Sequence, residues 1–128
     1  LALRNPYRAY NQYKQNDIML APPEELTLML YNGAIKFAHQ GVAAIEAQEI
    51  EKAHVAITKT ENIISELNAT LNMEYDVSKG LRPLYLYISE QLIEANINKE
   101  QKILKDIIPL LTDLRDTWKE AIDISKKK

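Results

Sequence analysis

Cysteine is absent from the 128 residues. That excludes a disulfide scaffold, a thiol nucleophile and a Cys-ligated zinc or iron–sulfur site, and it fits a reducing compartment. Glycine occurs 3 times and proline 5 times, too sparse for the many tight turns of a sheet protein. Charge of one sign is also missing. The 16 Lys and Arg against 18 Asp and Glu leave a net charge of −2, so no basic field is available to hold nucleic acid. No apolar run reaches the roughly 18 residues of a membrane span. No charged-then-apolar leader opens the chain either, so membrane insertion is not expected. What remains is 46% hydrophobic and 27% charged, enough to bury a core and stay soluble in one domain.

Residues 1–21 differ from the rest. Asn5-Pro6-Tyr7-Arg8-Ala9-Tyr10-Asn11-Gln12-Tyr13 is polar, amide-rich and aromatic, with too few aliphatic residues to fold alone. Tyr7 and Tyr10 share a face if the stretch is helical. It reads as a short helical or extended arm that docks on something. Four helical patterns follow, over about 22–47, 50–72, 77–97 and 98–124, within a bundle spanning 22–124. Pro22-Pro23-Glu24-Glu25 suits a helix start, because proline lacks the N–H that would be unpaired there and two carboxylates meet the positive end of the helix dipole. Ile50, Ala53, Ile57, Ile64, Leu67 and Leu71 recur at helical spacing, as do Leu81, Leu84, Tyr85, Ile88, Leu92 and Ala95. Asp76 is expected to cap the third helix, and Asn98 with Gln101 reads as a capping box for the fourth. Kinks are expected at Pro83 and Pro109. Trp118 falls on the apolar stripe of the fourth helix and is expected in the core. Helices of this length joined by short connections give an all-α, antiparallel four-helix bundle.

The first helix carries more apolar surface than one inward stripe requires. Leu26, Leu30, Gly33, Phe37, Gly41 and Ala44 form one stripe. Leu28, Tyr31, Ile35, Ala38 and Val42 form a second, spaced three and four. The third helix repeats the theme with Leu86, Ile93 and Ile97, interrupted by Glu90. Two readings fit. Helix one is central, or the chain forms a homodimer, and both stripes are core. Otherwise the second stripe floors a groove for an amphipathic segment of another chain, with the tyrosine arm covering it when that partner is absent.

Catalytic chemistry is hard to find. No glycine-rich phosphate loop or Ser/His/Asp constellation is present. Glu51-Lys52-Ala53-His54 matches the Glu-x-x-His of carboxylate-bridged di-iron bundles. His39, the only other histidine, has Lys36 where the second copy needs a glutamate. His54 is therefore read as a surface residue. Asn68-Ala69-Thr70 matches a glycosylation sequon by coincidence, and Glu94 and Asn96 read as helix-end residues. No enzyme, metal or cofactor is expected.

Five collinear blocks resemble the flagellin-specific export chaperone family, FliS. They are Asn5-Pro6-Tyr7-Arg8-Ala9-Tyr10; Pro23-Glu24-Glu25-Leu26-Thr27-Leu28-Met29-Leu30-Tyr31-Asn32-Gly33-Ala34; Ile63 through Leu71; Leu92-Ile93-Glu94-Ala95-Asn96; and Leu114 through Ala121. Pro22 departs from the family's usual Ser or Thr. The resemblance implies a cytoplasmic four-helix chaperone that binds the disordered C-terminal segment of flagellin, prevents premature polymerisation and presents the cargo to the flagellar export gate. It implies that the tyrosine motif, here Tyr7 and Tyr10, lies over part of the cargo site. It also implies that the first-helix patch is Met29, Tyr31, Asn32 and Gly33. Together with the spare stripes, the expected cargo and lid residues are Tyr7, Tyr10, Leu28, Met29, Tyr31, Asn32, Ile35, Val42, Leu86 and Ile93. The free chain is expected to be a monomer or weak dimer.

Overall fold

A computed structural model describes residues 23–127. They form four helices: α1 (Pro23–Glu46), α2 (Ile50–Ala69), α3 (Asp76–Asn98) and α4 (Gln101–Lys126). Each packs on its sequence neighbours, and α1 also packs on α4, closing a ring. The two pairs with the most extensive contact both involve α1. The tyrosine arm and the Tyr7 and Tyr10 sites lie outside the described residues.

The core is aliphatic. Ile57, Ile63, Ile64, Ile88, Leu92, Leu104 and Leu111 are fully buried between the helices. Helix one packs tightly on its neighbours at Gly41. A Cβ there would lie 3.1 Å from Leu104 Cδ1 and 3.3 Å from Ile57 Cγ1, so a larger residue makes those side chains give way.

The second stripe of α1 is core. Tyr31, Ile35 and Ala38 are buried, and the hydrogen bonds flanking that side run to α4. Arg115 donates to Asn32 Oδ1 at 3.1 Å, and Gln101 donates to Glu46 Oε1 at 2.8 Å. The expectation that Tyr31 and Ile35 floor an open groove is corrected accordingly. A helix with a neighbour on each side buries more than half its circumference, and apolar periodicity counts faces without saying what covers them.

Two short turns close one end of the bundle by the same device. At α1–α2, Gln48 adopts φ 60° and the Glu49 N–H reaches back to the Ala44 carbonyl at 2.8 Å. At α3–α4, Lys99 adopts φ 48° and the Glu100 N–H reaches the Ala95 carbonyl at 3.1 Å. Both are Schellman-type stops with a long side chain in the left-handed position that glycine usually fills. The expected Asn98–Gln101 capping box is therefore absent. Asn98 ends α3, Glu100 precedes α4 without a side-chain cap, and the Asn98 amide donates to Glu94 at 2.8 Å. Asp76 likewise falls inside the first turn of α3, with Tyr75 before it. Both prolines are accommodated within continuous helices, Pro83 in α3 and Pro109 in α4. Each is exposed, so the carbonyl it leaves without a donor can take water.

The other end is built differently. Residues 70–75 form a longer link, in which Asn72 Oδ1 accepts from the Glu74 N–H at 2.9 Å, a local turn typical of asparagine. Arg82 of α3 clamps the end of α2 just before the link, donating to both Asn68 Oδ1 and the Asn68 carbonyl at 3.1 Å. The sequon asparagine thus ties the end of α2 to α3.

Candidate functional site

The open end contains a cavity of about 610 Å³ to which all four helices contribute. Tyr31 and Thr27 come from α1, Leu67 from α2, Val77, Ser78, Leu81 and Tyr85 from α3, and Trp118 from α4, with Leu71 and Tyr75 from the link. Pro23 and Glu24, where the described chain starts, line it as well. Its walls are aromatic and aliphatic with a few hydroxyls, the composition of a pocket for apolar side chains.

Trp118 is half-buried at the edge of this cavity, rather than in the core. Its indole N–H donates to the Glu24 carbonyl at 2.7 Å, pinning the first turn of α1 to the last third of α4. The Lys126–Glu25 pair, at 3.9 Å and exposed, adds little. Deeper in the cavity wall the Tyr31 and Tyr85 hydroxyls bond to each other. Burial pushes both phenols above their ordinary range, so both keep their protons at neutral pH.

A second candidate surface is the outer face of α3. Leu86 is 50% exposed, Ile93 49% and Ile97 73%. At 100° per residue the three fall within one narrow stripe, with Glu90 beside them. This agrees with the exposed face expected of α3. On α1 the expected residues divide. Asn32 is exposed, Leu28, Met29 and Val42 are partly buried, and Tyr31 and Ile35 are interior. The structure therefore brings Tyr31 to the cavity, sets Leu86 and Ile93 together on α3, and joins Asn32 to α4 through Arg115. These residues do not form one continuous groove.

Between α2 and α3 lies a polar seam. His54 is exposed and its Nδ1 sits 3.1 Å from the Asn96 amide nitrogen, while Lys99 Nζ donates to Asn96 Oδ1 at 2.8 Å. Partial burial raises the Glu61 carboxyl above its usual range, opposed by the His54 charge and by a hydrogen bond from Asn96. Among the described residues, no three His, Asp or Glu side chains converge to hold a metal ion, and no helix is long and apolar enough to cross a membrane.

Sequence reasoning missed Tyr85 as a site residue because it lies in phase with the α3 core stripe. The available signal was chemical. A tyrosine in an otherwise aliphatic stripe brings a hydroxyl that needs a partner.

Comparison with known proteins decides the family. The model of the flagellar protein FliS matches residues 6–125. The chain belongs to the FliS family. It is 41% identical over 127 residues to a flagellar secretion chaperone FliS of Bacillus subtilis, covering 99% of this chain and 93% of that protein. It is 31% identical over 115 residues to the FliS of Campylobacter jejuni, covering 88% of this chain and 90% of the relative. A crystal structure of a bacterial flagellar chaperone superposes with a TM-score of 0.74 at 28% identity, covering 91% of this chain and 97% of the other. The family consists of secretion chaperones and is not enzymatic. The all-α bundle fits it.

Proposed function

We propose that this FliS-family chain is a cytoplasmic export chaperone. It binds the C-terminal segment of flagellin, keeps that segment from polymerising early, and delivers it to the flagellar export apparatus. The observation that carries the reading is the apolar surface that the described residues leave uncovered outside their buried core. The outer stripe of α3 and the open-end cavity are surplus to folding, and a surplus of this kind marks an interaction surface. A segment that folds on binding loses roughly 2–5 kcal/mol to ordering, so it needs an extended contact. One that runs from the α3 stripe into the cavity supplies it.

Leu86 and Ile93 then serve as exposed anchors, with Leu28, Met29, Asn32 and Val42 on the flank of α1. Tyr31 acts from the cavity wall, and Ile35 is core. Tyr7 and Tyr10 form the lid. The described chain starts on the cavity's edge at Pro23, so the segment that precedes it is tethered where it can compete with cargo.

The test is calorimetric titration of the full chain with a peptide covering the last helical segment of flagellin from the same organism. One-to-one binding is expected. Leu86→Asp and Ile93→Asp should weaken it at least about tenfold, since a desolvated carboxylate in an apolar contact is costly, with little change in unfolding midpoint. The same titration on the Tyr7→Ala, Tyr10→Ala chain should give altered affinity, and unchanged affinity discards the lid. No peptide binding, together with a tight dimer in light scattering, would replace the chaperone reading with a self-associating bundle.

A further inference from the structure

The wall of the open-end cavity holds two phenol hydroxyls, Tyr31 and Tyr85, each with 2% of its surface exposed and bonded to the other. Each hydroxyl carries one proton, so a bond between the two uses only one of them. The second proton meets no acceptor among the described residues. A buried donor left without a partner is unfavourable in a closed core. Here both residues line a cavity open at the end of the bundle, so a group entering the cavity comes up against the pair.

The remaining lining narrows what that group is. Leu67, Leu71, Val77, Leu81 and Trp118 surround the pair with apolar surface, and among the described residues no Lys or Arg lines the cavity, whereas Glu24 does. An anionic acceptor would leave water for a site with no cation to offset the loss and with a carboxylate nearby. A neutral carbonyl oxygen satisfies the donor without that penalty. Carbonyls in the middle of a helix already accept bonds. The acceptor therefore belongs to the last turn of a helix, to an extended stretch beyond it, or to a side-chain amide.

We infer that the undonated phenol proton of the Tyr31–Tyr85 pair is a specificity element of the cavity, donating to an uncharged carbonyl oxygen on an apolar segment of flagellin seated there. This rests on the chaperone reading above. The pair acts as a short relay. One hydroxyl donates to the other, and the polarised second hydroxyl donates to cargo.

The test compares wild type with Tyr31→Phe, Tyr85→Phe and the double variant, using the flagellin C-terminal peptide as probe and thermal unfolding of the free chain as control. Removing both hydroxyls together leaves no unpaired group, so the double variant should unfold near the wild-type temperature. Its peptide affinity should fall about fivefold, the size of one lost hydrogen bond. Of the single variants, one should show the same loss, which identifies the hydroxyl that donates to cargo, and the other should stay within about twofold. If the double variant does not fold, the two single variants decide.

Equal affinity across the variants overturns the inference while leaving the chaperone reading intact. Tighter binding by the double variant also overturns it, since the proton would then serve a competitor such as residues 1–22. Absence of peptide binding by wild type is a different outcome, and removes the cargo reading with it.

Discussion

The two ends of this bundle are made from the same four helices and finished in opposite ways. At one end, α1 turns into α2 and α3 into α4 through connections of two or three residues. Each is closed by a left-handed residue and a carbonyl reached from five residues on. Gln101–Glu46 and Lys99–Asn96 add side-chain bonds there. At the other end the link of residues 70–75 is longer, and α1 starts and α4 finishes beside it. The space among them is a cavity rather than a core. The closed end is finished by tight turns and the open end by a cavity. The side chains of Leu104 and Ile57 that pack against Gly41 do not line that cavity.

The sharpest way to break this division is a pair of matched truncations. Leu104→Ala, at a fully buried position against Gly41, should cost about 3 kcal/mol. Leu81→Ala, half-buried on the cavity wall, should cost about 1 kcal/mol because less apolar surface is returned to water and no enclosed void is left. Denaturant midpoints measure both, and equal losses would mean that the open end is core after all. A smaller effect is expected from Trp118→Phe, which keeps an aromatic ring, though a smaller one, and removes the indole N–H. Loss of the bond to the Glu24 carbonyl should destabilise by about 1 kcal/mol. Hydrogen exchange should quicken in the first turns of α1 while amides around Ile57 and Leu104 keep their protection. Uniform quickening would show that the two ends unfold as one. The smallest effect concerns the closed end alone. Gln48→Gly relieves a side chain held at positive φ and should raise stability by about 0.5–1 kcal/mol, read as a higher unfolding temperature. A loss would mean that Gln48 contributes contacts beyond its backbone.

Much of this was legible in the sequence for a physical reason. Helices α2, α3 and α4 each repeat apolar residues at three and four, and burial against neighbours enforces that period, so pattern and structure coincide at Ile57, Ile64, Ile88 and Leu111. Leu86, Ile93 and Ile97 were readable as an outer face because they break the phase of the inner one. The turns were not readable. Asn98 looks like a cap, yet the chain reverses on Lys99, and nothing in a lysine announces a left-handed conformation. Such a residue is held there by the packing of the helices it joins, not by its own preference. The second stripe of α1 misled for a related reason. Tyr31 and Ile35 have the spacing of an exposed seam, and only the position of α4 reveals that they are covered. Tyr85 was hidden by agreement, since its ring packs as expected while its hydroxyl meets a residue on another helix.

The placement of Trp118 has an optical consequence. It is the one tryptophan in the chain, so near-ultraviolet emission excited at the red edge of protein absorption comes from a single indole. That indole is neither sealed in the interior nor fully wet. It borders the cavity and is fixed by its N–H to the Glu24 carbonyl. A group that fills the cavity replaces water against the ring and lowers the polarity it senses, moving its emission to shorter wavelength. The protein therefore carries its own unlabelled dye at the edge of the cavity, with the closed end contributing no background.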